Sequence, residues 1–278
     1  MSWLLLAFLG GIASNISSFF SRIILKDDGG DSTLYAWFFE AVRFCIFLVV
    51  ALFDFHAVWT FYSVLLLFLM GVSEFVSIFF YMKMHRYSHL SISTVLSRTR
   101  LVWIPLIALV LIGEHLKVIT YIGILVLFVG LAIATAPHKL QFDRGQKYAY
   151  LAAFLIALNA VQMKMNQPFA TPAVLIVFLT APTTFVYPLL VKDRKKRFGR
   201  FFKHKLSAKF FGGVSSVAAI YFFTLALRTG PVSIVNAIYQ GTMILSVLAG
   251  IFLLGEKEDT KRKIIGSIVT MIGVLLLS

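Results

Sequence analysis

Five ionisable side chains stand inside long apolar stretches of the chain: Glu40, Arg43, Glu74, Arg98 and Arg100. An ionised group in the middle of a bilayer costs about 2.5–3.5 kcal/mol on insertion scales, so each needs a partner or a task. Glu40 and Arg43 lie three residues apart, on one helical face, and are read as a structural ion pair. Glu74 stands among Ser73, Ser77 and Tyr81, close to one face. It is either a partner for Arg98 or Arg100, or a protonatable group that couples transport to a gradient. Arg98 is the most informative of the five. Thr94, Ser97, Arg98 and Leu101 follow the i, i+3, i+4, i+7 rule and share a face. The planar guanidinium fork suits a carboxylate or phosphate. Arg100, two positions on, points about 200° away on an ideal helix and takes a structural or pairing role. Asn15, Asn159 and Gln162 add uncharged hydrogen-bonding groups, and Trp37 and Trp103 are candidates to line a cavity.

The elements that carry these residues are membrane spans. Of 278 residues, 59% are hydrophobic and 14% charged, against roughly 25% charged in a soluble domain. Runs of about 20 apolar residues span a bilayer as helices. Ten such runs occur, at 2–25, 33–53, 58–82, 91–112, 117–136, 147–165, 171–191, 207–228, 231–254 and 262–277. The runs do not alternate as barrel strands do. The first lacks a positive n-region and is read as a span, not a signal peptide.

The net charge is +14, and its distribution sets an orientation. Sorted by loop parity, 20 of the 26 Lys and Arg fall on one side and three on the side of the termini. Positive charge marks the cytoplasmic face, so both termini are expected outside, with the chain in the cytoplasmic (inner) membrane. The basic segment 192–209 is a topology determinant that also faces anionic headgroups. No domain accompanies it that would support nucleic-acid binding. Metalloprotease, CxxC, P-loop and nucleophile-elbow patterns are absent from the sequence, and His85 and His89 are read as solvated. No enzyme, cofactor or metal is expected, and one cysteine, Cys45, forms no internal disulfide.

The chain repeats itself. Phe79 to Glu114 matches Tyr221 to Glu256 at a constant offset: Arg86 falls on Arg228, Ser91-Ile92 on Ser233-Ile234, and Gly113-Glu114 on Gly255-Glu256. Arg98 falls on Gln240, Thr94 on Asn236, Ser97 on Tyr239, and Leu101 on Met243. Five runs per half, an odd number, imply opposite orientations, which is the inverted architecture of secondary transporters. The fold expected is therefore all-α and integral to the membrane, with ten transmembrane helices in two inverted five-helix repeats, 1–140 and 141–278. In each Gly-Glu pair the glycine is expected to close its helix. The glutamate, Glu114 or Glu256, is expected to complement the dipole of the helix that follows.

With these motifs the chain resembles the drug/metabolite transporter superfamily, in particular its ten-helix EamA-type members. Leu111-Ile112-Gly113-Glu114, Leu253-Leu254-Gly255-Glu256 and the paired glycines of the runs that follow carry the resemblance over essentially the whole length. It implies a basket of helices around a central cavity, with the fifth and tenth helices peripheral. Well-known members keep their termini in the cytoplasm, whereas the charges of this chain place them outside.

The reading that follows is a secondary transporter for a small polar or amphipathic metabolite, with an anionic group suggested by Arg98. Substrate contacts are assigned to Thr94, Ser97, Arg98, Trp103, Asn159, Asn236, Tyr239 and Gln240, and coupling to Glu74. The alternatives are a flippase or carrier for an anionic or amphipathic lipid, and a non-transporting assembly subunit. Oligomeric state is not fixed by the sequence.

Overall fold

Local signals set the helix ends in the computed structural model, which describes residues 2–25, 31–87, 96–135, 145–203, 205–245, 247 and 259–277. Thr94, His89, Glu256 and the side chain of His85 lie outside the described residues. Eleven helices occur among the described residues: α1 Trp3–Leu25, α2 Ser32–Phe53, α3 Phe61–Tyr87, α4 Arg100–Ile112, α5 Val118–Thr135, α6 Gly145–Asn166, α7 Pro172–Leu190, α8 Arg194–Lys203, α9 Leu206–Thr229, α10 Val232–Gly241 and α11 Thr260–Leu275. Asp31 caps α2 by accepting from the Leu34 N–H at 3.2 Å. Pro172 opens α7, where its missing N–H is no loss. Gly113 closes α4 at φ 63°, and the Glu114 N–H then reaches back to the Ala108 carbonyl. That closure is the role expected of the Gly-Glu glycine.

Seven helices, α1, α2, α3, α5, α6, α7 and α9, are long and apolar enough to cross a membrane, and α4 and α10 are shorter apolar helices. Large apolar side chains face outward, among them Phe53 at 88% exposure, Phe61 at 86% and Val110 at 80%. Such a surface is stable against lipid tails and not against water.

The helices pair in a regular way. α1 lies along α9 and α3 along α6; α2 packs on α7 and α5 on α11; α4 meets α6 while α10 meets α1. With α8 set aside, exchanging each of the described helices for the one five places later returns the same set of pairs. The α5–α11 crossing depends on glycine. A Cβ on Gly130 would lie 2.4 Å from the Thr270 nitrogen, and one on Gly273 would lie 2.4 Å from the Leu127 nitrogen. These are the paired glycines of the repeat, and they let two backbones touch. A buried cluster including Leu67, Met70, Ile104, Val161, Leu175 and Leu227 fills the middle of the molecule.

One helix was not expected. Segment 192–209, read from sequence as a basic loop, folds over Arg194–Lys203 into α8. Phe198 meets Trp37 edge-on at 4.9 Å between ring centres, and Phe201 meets Phe38 at 5.7 Å. Arg197 clamps Asp31 with two hydrogen bonds, 2.6 and 2.8 Å. Burial works to raise the Asp31 carboxyl, but Arg197 and backbone N–H groups outweigh it and hold the group below its ordinary value. Lys209, buried in α9, donates to the Phe201 carbonyl and lies 3.7 Å over the Phe201 ring. The remaining cations of α8, including Lys195, Lys196, Arg200 and Lys203, face outward.

Candidate functional site

Both helices that carry the repeated polar face tighten where it passes. Before α4, the Leu101 N–H bonds the Arg98 carbonyl and the Val102 N–H bonds the Thr99 carbonyl, both at 2.9 Å and three residues back. After α10, the Leu245 N–H bonds the Thr242 carbonyl in the same manner at 2.9 Å. Thr99 and Thr242 have nearly identical backbones, φ −58° ψ −17° and φ −60° ψ −16°. Three-residue turns inside long helices mark hinges or functional sites. Here they fall within one residue of equivalent positions in the two halves.

Arg98 stands at the first of these turns. Its Nη1 donates to Gln240 Oε1 at 2.9 Å, and its Nη2 contacts the Met243 sulfur. Gln240 is 2% exposed and Asn236, one turn earlier, 5%. Among the described residues the Gln240 Nε2 and Asn236 Nδ2 donors have no hydrogen-bond partner. Tyr239 packs edge-on to Phe223 at 5.0 Å, and its carbonyl accepts from the Thr242 hydroxyl. Asn15 of α1 donates to that same hydroxyl oxygen at 3.0 Å. Arg98 and Gln240 are thus brought together, with Asn236 and Tyr239 on the same helix α10 as Gln240, and Ser97 adjoins Arg98 in the chain.

Glu74 belongs to a different cluster. Its Oε2 accepts from Asn159 Nδ2 and from the Ser77 hydroxyl at 3.2 Å, and the Ser73 hydroxyl joins Asn159 to Gln162. Glu74 has no salt bridge to Arg98 or Arg100; α6 supplies its partner instead. Asn159 therefore serves Glu74 directly. Trp103 meets Phe154 of α6 edge-on at 5.4 Å beside the central apolar cluster. Trp37 donates to the Thr184 carbonyl at 2.9 Å.

Glu40 and Arg43 form an ion pair at 2.6 Å. Arg43 Nε also donates to Ser216 at 2.6 Å, and Ser216 occupies the position equivalent to Glu74 in the second half.

The end of the molecule that holds the N-terminus is tied across the halves. Glu114 was expected to serve the helix that follows it, α5. It instead accepts from the Val232 and Ser233 N–H groups at 2.7 and 3.1 Å, capping the first turn of α10. The preceding Pro231 offers no side-chain cap, which leaves those N–H groups open to a carboxylate from elsewhere. Lys164 donates to the Leu227 and Gly230 carbonyls at the end of α9, at 2.7 and 3.0 Å. His56 to Val58 and Phe169 to Thr171 add backbone hydrogen bonds between two connections. None of these three ties was foreseen. The polar residues beside Gly230-Pro231 were legible only as a turn.

The EamA-like transporter family model matches residues 1–136 and 143–278, one match to each half. The chain belongs to this family. It is an integral membrane protein and a transporter of the drug/metabolite type. No curated protein sequence matches this EamA-like transporter. A solved structure titled only as the crystal structure of a protein is 17% identical to it. The alignment covers 98% of this chain and 96% of that one, with a TM-score of 0.74. At that identity the likeness speaks for the fold alone.

Proposed function

We propose that this EamA-like transporter is a secondary carrier for a small anionic metabolite, bound where Arg98 meets Gln240. The observation that carries the reading is an intramembrane guanidinium hydrogen-bonded to a neutral amide that stands at its own position in the other half of the chain. The planar fork of a guanidinium matches a carboxylate or a phosphate. Asn236, Ser97 and Tyr239 complete the binding face, with Trp103 bordering it; Thr94 lies outside the described residues.

The transport cycle is alternating access between two inverted five-helix repeats, 1–140 and 141–278, in ten spans. The tightened turns at Thr99 and Thr242 supply the flexible points. Glu74, held by Asn159 and Ser77, is the coupling group, and Glu40–Arg43 is a structural pair. The protein sits in the inner membrane with both termini outside. The cationic face of α8 lies against anionic headgroups on the cytoplasmic side.

An apolar crevice of about 230 Å³ between α1, α10 and α11, lined by residues including Phe8, Ile238, Leu245 and Met271, favours a second reading. It would seat an acyl chain and make the substrate an amphipathic lipid. Native mass spectrometry of the protein purified in mild detergent separates the two. A bound water-soluble anion, displaced in Arg98→Gln, supports the metabolite reading. A bound phospholipid that survives Arg98→Gln supports the lipid reading and overturns the first.

A further inference from the structure

The turn that joins α9 to α10, Thr229-Gly230-Pro231, is held by three side chains from outside it. Glu114 accepts from the Val232 and Ser233 N–H groups at 2.7 and 3.1 Å, at the positive end of α10. Lys164 donates to the Leu227 and Gly230 carbonyls at 2.7 and 3.0 Å, at the negative end of α9. Gln167, just after α6, donates to the Thr224 carbonyl at 2.9 Å, one turn further back in α9. Glu114 and Lys164 satisfy backbone groups that helix ends leave open, so water can take their place when they withdraw.

The anchors and the turn belong to different packing groups. α3 packs on α6 and α7, α2 on α7, and α4 on α6. Glu114 at the end of α4, Lys164 and Gln167 therefore all ride on one group. α9 and α10 pack chiefly on α1, and the Trp3 ring of α1 lies against Gly230. The backbone bonds of His56 and Val58 to Thr171 and Phe169 stay within the first group.

α4 and α10 are in consequence fastened to each other twice. Glu114 joins them at the end of the molecule that holds the N-terminus. Arg98, just before α4, joins Gln240 at the other end, beside the three-residue turns at Thr99 and Thr242. Between the two fastenings Ile104, Ala108 and Val235 belong to one buried apolar cluster. Such a dry seam is a barrier to polar solutes.

We propose that Glu114, with Lys164 and Gln167 beside it, is the latch of a gate at this end of the molecule. The gate opens when α4 and α10 part about the turns at Thr99 and Thr242, and the latch is fastened in this structure. The proposal rests on the alternating-access reading and adds to it the residues that control access at one end.

Double electron–electron resonance on the full chain in liposomes tests it. Cys45→Ser removes the native thiol, and spin labels go on Phe61→Cys and Thr229→Cys, one exposed residue from each group. Glu114→Ala should raise the share of the longer distances about fivefold over the parent, the scale of one helix cap. Glu114→Gln, which keeps one acceptor oxygen, and Lys164→Met should raise it by less. A control pair within the α1–α9–α10 group, Ile16→Cys with Thr229→Cys, should keep one distance in every variant. An unchanged Phe61–Thr229 distribution in Glu114→Ala, or in Glu114→Gln where that variant does not fold, overturns the proposal and leaves Glu114 a plain helix cap. A control pair that changes as well also overturns it, because the turn then frays instead of parting. Counterflow of small anions by the parent with unchanged distances withdraws the latch alone. Changing distances without counterflow withdraw the carrier reading and keep the movement.

Discussion

Arg98 donates a 2.9 Å hydrogen bond to Gln240, the residue that occupies its own position in the other half of the chain, 142 residues on. Equivalent residues of two related halves touch only where the halves meet. The contact therefore joins the two matched segments beside the two tightened turns, just before α4 and at the end of α10. Replacing Gln240 with Leu removes a partner from a charged donor, a loss of about 1.5–3 kcal/mol. The expected result is a lower melting temperature and weaker binding of the anionic substrate. Both are measurable on the purified protein, and unchanged values for both would separate Gln240 from the site.

Glu74 is held by neutral donors, so its charge can change without breaking a salt bridge. Glu74→Gln keeps the shape and the contact with Ser77 while fixing the group uncharged. In proteoliposomes the variant should exchange substrate across the membrane but fail to accumulate it against a proton gradient. Accumulation at the parent level would remove Glu74 from coupling.

The α5–α11 crossing has no room for a side chain at Gly130 or Gly273. Overpacking of this kind costs about 1–3 kcal/mol and more where backbone is the obstacle. Gly130→Val should lower the melting temperature sharply, and Gly199→Val, in open space on α8, should have little effect. Equal tolerance at the two positions would contradict the packing described.

Glu114 caps α10 from the connection between α4 and α5. Removing an N-terminal cap costs about 0.5–2 kcal/mol. Glu114→Ala should destabilise by that amount and Glu114→Gln by less, because the amide keeps one acceptor oxygen. The Trp3 ring, packed against Gly230 beside this turn, makes tryptophan emission a local reporter. A melting curve unchanged in Glu114→Ala would show that the cap carries no stability.

Asp31 both caps α2 and clamps Arg197, and its folded pKa is held below the ordinary value. A lowered carboxyl contributes stability above its unfolded pKa, near 3.9, and loses it as pH falls through the folded value. Asp31→Asn should therefore be destabilised by about 1 kcal/mol at neutral pH. The gap between parent and variant melting temperatures should close below about pH 4. A gap that stays constant down to pH 3 would assign the effect to packing instead of charge.

The spans were legible because continuous apolar runs leave a helix as the one way to satisfy the backbone in lipid. The repeat was legible in ungapped polar matches, and it led to Arg98 and Gln240 as facing positions. Helix α8 was missed because its basic residues dominate the composition. The spacing of Phe198, Phe201 and Phe202 was the signal that a buried face exists. The partner of Glu114 was missed because a carboxylate beside a helix start points first to that helix. The chain-distant start of α10 at Pro231 carries no local sign of it. Arg100 was given a structural or pairing role from the sequence, and among the described residues its buried Nε has no hydrogen-bond partner. Pairing is the ordinary fate of a buried cation, and only the fold shows that the nearby carboxylates are taken.

The central claim is that Arg98 binds an anionic substrate inside the membrane, and counterflow in proteoliposomes tests it most directly. Vesicles containing the parent protein and preloaded with a panel of small unlabelled anions should take up the same labelled anion from outside. Arg98→Gln, reconstituted to the same density and orientation, should lose this uptake by about tenfold or more, the value of one charged hydrogen-bonding group. Undiminished counterflow in Arg98→Gln would contradict the account.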